Sequence, residues 1–150
     1  MRFATFQPGM VIEAGPRSVS AEEIVEFASR YDPQWFHTDA QRAAGSRWKG
    51  LIASGWHSCA IAMDLLVGAA LQDSESFGSP GIEELNWLEP VRPGDALRLR
   101  ALVLESRQSA SGRTGILRWR WELWNQNHAK VLSLTGTSLF DIAAADPRER

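Results

Sequence analysis

Two stretches in the C-terminal half of the chain alternate apolar and polar side chains with a period of two. Leu97, Leu99, Ala101 and Val103 alternate with Arg98, Arg100 and Leu102; Leu117, Trp119, Trp121 and Leu123 alternate with Arg118, Arg120 and Glu122. Successive side chains on a strand point to opposite faces, so each stretch predicts a strand with one apolar face and one mostly charged face. Residues 130–140 predict a third strand and 82–88 a fourth, with 74–80 read as a loop. Turn-forming residues separate the strands: Pro90-Val91-Arg92-Pro93-Gly94-Asp95, Ser111-Gly112 and Asn125-Gln126-Asn127.

The N-terminal half changes period. Ser20 followed by Glu23 predicts a capping box, in which the hydroxyl accepts from a free backbone N–H and the carboxylate reaches back to the cap. Ile24, Phe27 and Ala28 then fall on one helical face. That helix is expected to fray at Tyr31-Asp32, because Pro33 pushes the residue before it out of helical geometry. Residues 38–44 predict a short helix capped by Thr38 or Asp39, and 54–71 a long apolar helix. Ala60, Ala62, Gly68, Ala69 and Ala70 let neighbouring backbones approach that long helix closely. After a short first strand and these helices come four antiparallel strands. A sheet with one greasy face needs a cover, and the apolar helix supplies it, which predicts an α+β fold with an antiparallel sheet wrapped around a long central helix.

Composition narrows the possibilities. A chain of 150 residues is expected to form one domain, 1–150, with 143–150 as a solvated tail. Hydrophobic residues make up 44% and charged residues 23%, which suits a globular domain rather than a disordered one. The formal charge is −2 and no basic stripe stands out, so a nucleic-acid partner is not expected. Ser54, His57, Ser58 and Asp64 interrupt the apolar run 51–71, which therefore reads as a buried helix and not a membrane span. The first residues lack the apolar core of a signal peptide, and the single Cys59 can make neither an internal disulfide nor a cysteine-only metal site. A cytoplasmic location is expected, with no metal. Seven tryptophans supply rigid apolar area for a core, a dimer seam or the walls of a binding slot.

Few side chains are suited to chemistry. His128 falls in a turn and reads as a solvated loop residue. His57 lies on the apolar helix, where it either packs or lines a pocket. The setting of His37 is different: Tyr31-Asp32-Pro33-Gln34-Trp35-Phe36-His37-Thr38-Asp39 places a carboxylate five residues ahead of an imidazole across a non-helical loop. Trp35 and Phe36 between them can exclude water, and a desolvated acid beside an imidazole is a natural general acid/base pair. A purely structural aromatic turn, with Asp32 capping locally, explains the same spacing. Gly50-Leu51-Ile52-Ala53-Ser54-Gly55 opens the long helix, whose free N–H groups either polarise a carbonyl or simply allow close packing. Trp35, Trp48, Trp56 and Trp87 either narrow a tunnel or pack a seam.

Three motifs in order resemble the MaoC-like dehydratases, the family that includes the (R)-specific enoyl-CoA hydratases and has the hotdog fold. They are the segment from Tyr31 to Asp39, the segment Gly50-Leu51-Ile52-Ala53-Ser54-Gly55-Trp56-His57, and Leu85-Asn86-Trp87-Leu88-Glu89-Pro90-Val91-Arg92-Pro93-Gly94-Asp95. The resemblance spans about residues 6–140. It implies that Asp32 and His37 are the catalytic dyad that binds and activates a water, and that the Gly55 N–H is the oxyanion donor for a thioester carbonyl. Ser54, Trp35, Trp56 and His57 become candidate substrate contacts, and Arg47, Lys49 and Arg92 candidate contacts for coenzyme A. It further implies reversible hydration of a trans-2-enoyl thioester in fatty acid metabolism, with coenzyme A as part of the substrate and no separate cofactor. The acting species would be a homodimer or a dimer-based higher oligomer. A hotdog thioesterase, and a non-catalytic acyl-thioester-binding subunit, are the alternatives. The family's hydratase pattern is Asp-x-Asn-Pro-x-His; here Gln34 stands at the asparagine position and proline is residue 33. Ser54 stands where many hydratases have histidine before the helix glycine.

Overall fold

The alternating segments pair into one five-stranded antiparallel sheet. The structure, a computed structural model, describes residues 1–143. The expected tail therefore lies outside the described residues, apart from Ala143. In chain order the elements are β1 (Val11–Ser18), α1 (Ala21–Tyr31), α2 (Trp35–Thr38), α3 (Ala40–Ala44), α4 (Gly55–Leu66), β2 (Ser76–Trp87), β3 (Ala96–Gln108), β4 (Thr114–Trp124) and β5 (Lys130–Asp141). The strand order is β1-β3-β4-β5-β2. Among the described residues no helix is long and apolar enough to cross a membrane.

The register puts the apolar alternation of neighbouring strands on one face. Leu99 pairs with Leu123, Ala101 with Trp121 and Val103 with Trp119; on its other side Trp121 pairs with Leu134. These residues are buried, and they meet Ile61, Ala62 and Leu66 of α4 in the same core. Each fully buried Leu or Ile contributes about 1.5–3 kcal/mol, which is how a sheet with one greasy face holds its helix. Trp119 is fully buried, and its indole N–H donates to Ser138 Oγ at 3.2 Å, so its single polar atom is satisfied. This is the α+β wrap that the alternation predicts.

The structure departs from the sequence reading at four points. The long helix is α-helical only over Gly55–Leu66 and continues as a π-helical turn over Val67–Leu71. It is also not covered all round, because Trp56, Met63 and Val67 are exposed. The loop expected over 74–80 is largely strand, since β2 starts at Ser76 and runs through Pro80. Proline is tolerated there because β2 is an edge strand, paired only with β5 through several register shifts. Glu122, expected on a solvated face, is buried beneath Lys130 Nζ at 2.5 Å and Arg100 Nη1 at 3.5 Å.

The fourth departure is the capping box, of which only half forms. Ser20 Oγ accepts from the Glu23 N–H at 3.1 Å, but the Glu23 carboxylate turns away to Arg17 (2.5 Å) and His57 Nε2 (3.3 Å). His57 stacks on Phe27, with ring centroids 4.6 Å apart, and its Nδ1 is buried with no partner among the described residues. Burial pushes the His57 imidazole below its ordinary value despite the pull of Glu23, and Arg17 adds to the depression. For Glu23, burial acts upward, but Arg17 and His57 outweigh it and hold the carboxyl low. The folded chain thus binds fewer protons at both groups than the unfolded chain does. The stability from His57 is complete above the ordinary histidine value and is lost as pH falls below it. The Tm advantage of the wild type over His57→Gln is therefore expected to shrink between about pH 7.5 and 5.5. Thermal unfolding across that range checks it, and an advantage independent of pH would contradict the assignment.

Candidate active site

Asp32 closes α1: its N–H donates to Ala28 O at 2.8 Å, and its backbone then leaves helical geometry ahead of Pro33. The chain re-enters a helix as α2, which carries His37 in its single turn. The segment 51–54 runs alongside α2 and is fastened to it. The Ile52 N–H donates to Phe36 O at 3.2 Å, and His37 Nδ1 lies 2.7 Å from Ile52 O. A carbonyl only accepts, so Nδ1 carries the proton and Nε2 faces the other way. On that side Asp32 Oδ2 sits 3.2 Å from Nε2. The local sequence thus brings carboxylate and imidazole together, with a tertiary hydrogen bond fixing the orientation of the ring.

Asp32 is held at both oxygens. Gln34 Nε2 donates to Oδ1 at 2.7 Å, and Ser54 Oγ donates to Oδ2 at 2.7 Å. Burial by itself raises the carboxyl pKa, but the bonds from Gln34 and Ser54 and the adjacent His37 hold it below the ordinary carboxylate range. His37 is 5% exposed and Ser54 is fully buried, so their contacts with Asp32 act with less screening by water than the exposed bond from Gln34. Gln34 and Ser54 are the two residues that depart from the hydratase pattern, and both spend their donors on Asp32. Ser54, expected among the substrate contacts, is here a support for the carboxylate.

Gly55 begins α4, and its N–H has no acceptor among the described residues. The Trp87 indole lies flat against this glycine: its N–H donates to Gly55 O at 2.9 Å, and a Cβ added at residue 55 would stand 2.3 Å from Trp87 Cε2. Gly55 and His37 both line a cleft of about 310 Å³, walled by Phe36, Trp48, Trp87 and Val91. Another groove of about 300 Å³ lies between β1, β3 and the turn at His128, but Asp32, His37 and Gly55 take no part in it. Among the described residues no group of three His, Cys, Asp or Glu side chains is placed to hold a metal ion.

A family model described as a MaoC-like domain matches residues 3–119. The chain belongs to the MaoC-like domain family. A solved MaoC-like dehydratase from Rhodospirillum rubrum is 34% identical, with a TM-score of 0.84 over 92% of this chain and 94% of that one. An uncharacterized Bacillus subtilis protein, YdeM, is 30% identical over 87% of the chain and 92% of its own length. Mesaconyl-CoA hydratase of Cereibacter sphaeroides is 29% identical over 82% of the chain, which spans 36% of that longer protein.

Within this MaoC-like domain the other candidate residues separate. Trp35 packs edge-on against Phe36 and lies under the Arg42 guanidinium at 4.5 Å; it does not line the cleft. His57 faces Glu23 and Phe27, away from His37, so its expected place among substrate contacts is not where its side chain goes. Helical geometry accounts for this, because two residues along a helix turn a side chain about 200° away from Gly55. Trp56 is exposed and meets Trp87 edge-on at 5.2 Å, beside the cleft rather than in it. Arg47 lies over Trp48 at 5.8 Å, and Arg92 donates to Trp48 O at 2.7 Å, so both guanidinium groups flank one wall of the cleft. Lys49 turns the chain beside them with φ 56°. Sequence reasoning missed Ser58 and Glu89, which also line the cleft. The spacing of Ser58 three residues after Gly55, on the same helical face, was the available signal.

Proposed function

We propose that this MaoC-like domain is a hydro-lyase that adds water reversibly to a trans-2-enoyl thioester, giving a 3-hydroxyacyl thioester. The observation that carries the reading is the Asp32–His37 pair, 3.2 Å apart, beside a cleft that Gly55 shares with His37. The thioester carbonyl accepts from the Gly55 N–H, which has no acceptor among the described residues. Water held by Asp32 and His37 attacks C3, and the C2=C3 electron pair moves toward the carbonyl oxygen. The proton released to the dyad returns to C2, so the elements of water are added without change of redox state. An oriented donor at the developing oxyanion is worth about 3–4 kcal/mol, and proton transfer and positioning supply the rest.

Gln34 and Ser54 support a water-orienting role for Asp32. A carboxylate that already accepts from two donors stays ionised and is suited to hold and orient water, while those same bonds weaken it as a base. The water's proton therefore passes to Nε2 of His37, whose ring is fixed by the bond to Ile52 O, and from there to C2. The similarity to the mesaconyl-CoA hydratase of Cereibacter sphaeroides supports the same reaction type. Arg47, Lys49 and Arg92 are the proposed phosphate contacts for coenzyme A. A homodimer belongs to the same reading: β2 leaves one edge unpaired and exposes Phe77, Ile82 and Trp87, which suits pairing with β2 of a second copy. So do a cytoplasmic location and a place in fatty acid metabolism.

A thioesterase would attack the thioester carbon instead. Asp64, the carboxylate on α4, is 72% exposed in its side chain and sits 3.6 Å from Arg17, away from the cleft. Incubation with crotonyl-CoA separates the two reactions. The proposal expects loss of the conjugated enoyl absorbance without release of free thiol. Thiol release with no loss of enoyl absorbance would replace hydration by thioester cleavage.

A further inference from the structure

Ser58 is a polar residue in an otherwise largely apolar cleft, and its hydroxyl is unspent. The residue is 3% exposed and lines the cleft one helical turn beyond Gly55. A buried helical serine normally donates back to the carbonyl three or four residues earlier. Both of those acceptors are engaged. Ser54 O accepts from the N–H groups of His57 (3.0 Å) and Ser58 (3.2 Å), and Gly55 O accepts from the Trp87 indole (2.9 Å). Among the described residues Ser58 Oγ has no hydrogen-bond partner, yet it is not among the buried polar atoms sealed off without one. An apolar residue would pack here at no polar cost, so the hydroxyl has its outlet in the cleft.

The charge of the cleft restricts what that outlet meets. Among the described residues no lysine or arginine lines it; the Arg47 and Arg92 guanidinium groups flank its Trp48 wall and are engaged there, and the exposed Glu89 adds a carboxylate at its rim. A carboxylate drawn in would lose water without gaining a cation, which is costly. A neutral hydroxyl would gain the partner that Ser58 lacks. Ser58 lies three residues beyond Gly55, about 4.5 Å along the helix axis, a span of the same order as that from a thioester carbonyl oxygen to a substituent on C4.

We infer that Ser58 is a specificity-determining residue that reads a neutral, hydrogen-bonding substituent near C4 of the acyl chain, and that the cleft discriminates against an acyl carboxylate. This rests on the proposed thioester hydratase reading for the orientation of the substrate. With Gly55 holding the carbonyl, the chain passes His37, the member of the dyad that lines the cleft, at C3 and reaches Ser58 with its next substituent.

Three thioesters test it: 4-hydroxybut-2-enoyl-CoA, pent-2-enoyl-CoA, which carries methyl in place of hydroxyl, and fumaryl-CoA, which carries carboxylate. For the wild type, kcat/KM is expected to favour hydroxyl over methyl by about tenfold, with the carboxylate last. In Ser58→Ala the hydroxyl-to-methyl ratio is expected to fall to about one, while Tm does not drop, because the hydroxyl makes no bond within the fold. Calorimetric binding of the saturated analogues, 4-hydroxybutanoyl-CoA and pentanoyl-CoA, measures the same preference without turnover. Failure to hydrate any enoyl thioester would sink the hydratase reading, and the binding ratio would still decide the role of Ser58. A wild-type binding ratio near one, a ratio unchanged in Ser58→Ala, or a preference for the carboxylate would overturn the inference.

Discussion

Asp32→Asn and His37→Gln are each expected to lower hydration of an enoyl-CoA by roughly 10²- to 10⁴-fold. Asparagine keeps the shape of Asp32 but removes one acceptor from a group that receives three contacts, from Gln34, Ser54 and His37. One side of the new amide must then face a donor. Glutamine at residue 37 can keep the bond to Ile52 O but carries no titratable nitrogen beside Asp32. Because the two residues act as a unit, the double variant is expected to lose little more than the worse single one. Initial rates with crotonyl-CoA, together with circular dichroism to confirm folding, check this. Near wild-type rates in both single variants would remove the dyad from the mechanism.

Gly55→Ala is the second large effect, with an expected loss of about 10²- to 10³-fold, the usual range for removing an oxyanion donor. Alanine has good helix propensity, so helix formation is not the issue. The added Cβ would stand 2.3 Å from Trp87 Cε2 and 2.6 Å from two more indole atoms, closer than real Cβ contacts come. Either the start of α4 or the indole must move. Moving α4 misaligns the free N–H; moving Trp87 opens a wall of the cleft. Gly55→Ala combined with Trp87→Leu relieves the clash and is expected to recover part of the lost rate. If Gly55→Ala alone keeps full activity, the start of α4 is not the oxyanion site.

Some of this was legible in the residues and some was not, for physical reasons. β3 and β4 could be read because each alternates positions buried in the core with less buried ones, so burial imposes the period of two over most of their length. β2 is exposed along nearly its whole length, and an edge strand lacking that contrast leaves no alternation to read. Its Gly78, Ser79 and Pro80 therefore looked like a loop. The spacing of Asp32 and His37 was visible because both lie on one short connection. Their supports were not, because Ser54 reaches Asp32 across 22 residues and Trp87 reaches Gly55 across 32. The turn of His57 away from Gly55 follows from helical spacing alone, but its partners Glu23 and Phe27 lie on α1, far earlier in the chain, and were not legible. Glu23, recognised as a capping residue, was instead drawn off by Arg17 and His57, whose charge and proximity outweigh a local bond to the cap.

The most direct measurement follows the water oxygen itself. Crotonyl-CoA is incubated with the protein in ¹⁸O-labelled water and the products are resolved by mass spectrometry. The account predicts intact 3-hydroxybutyryl-CoA carrying the label on C3, formed by the wild type and nearly absent with Asp32→Asn. Label appearing in the carboxyl group of a free acid, or C3-labelled product formed equally well by Asp32→Asn, would contradict it.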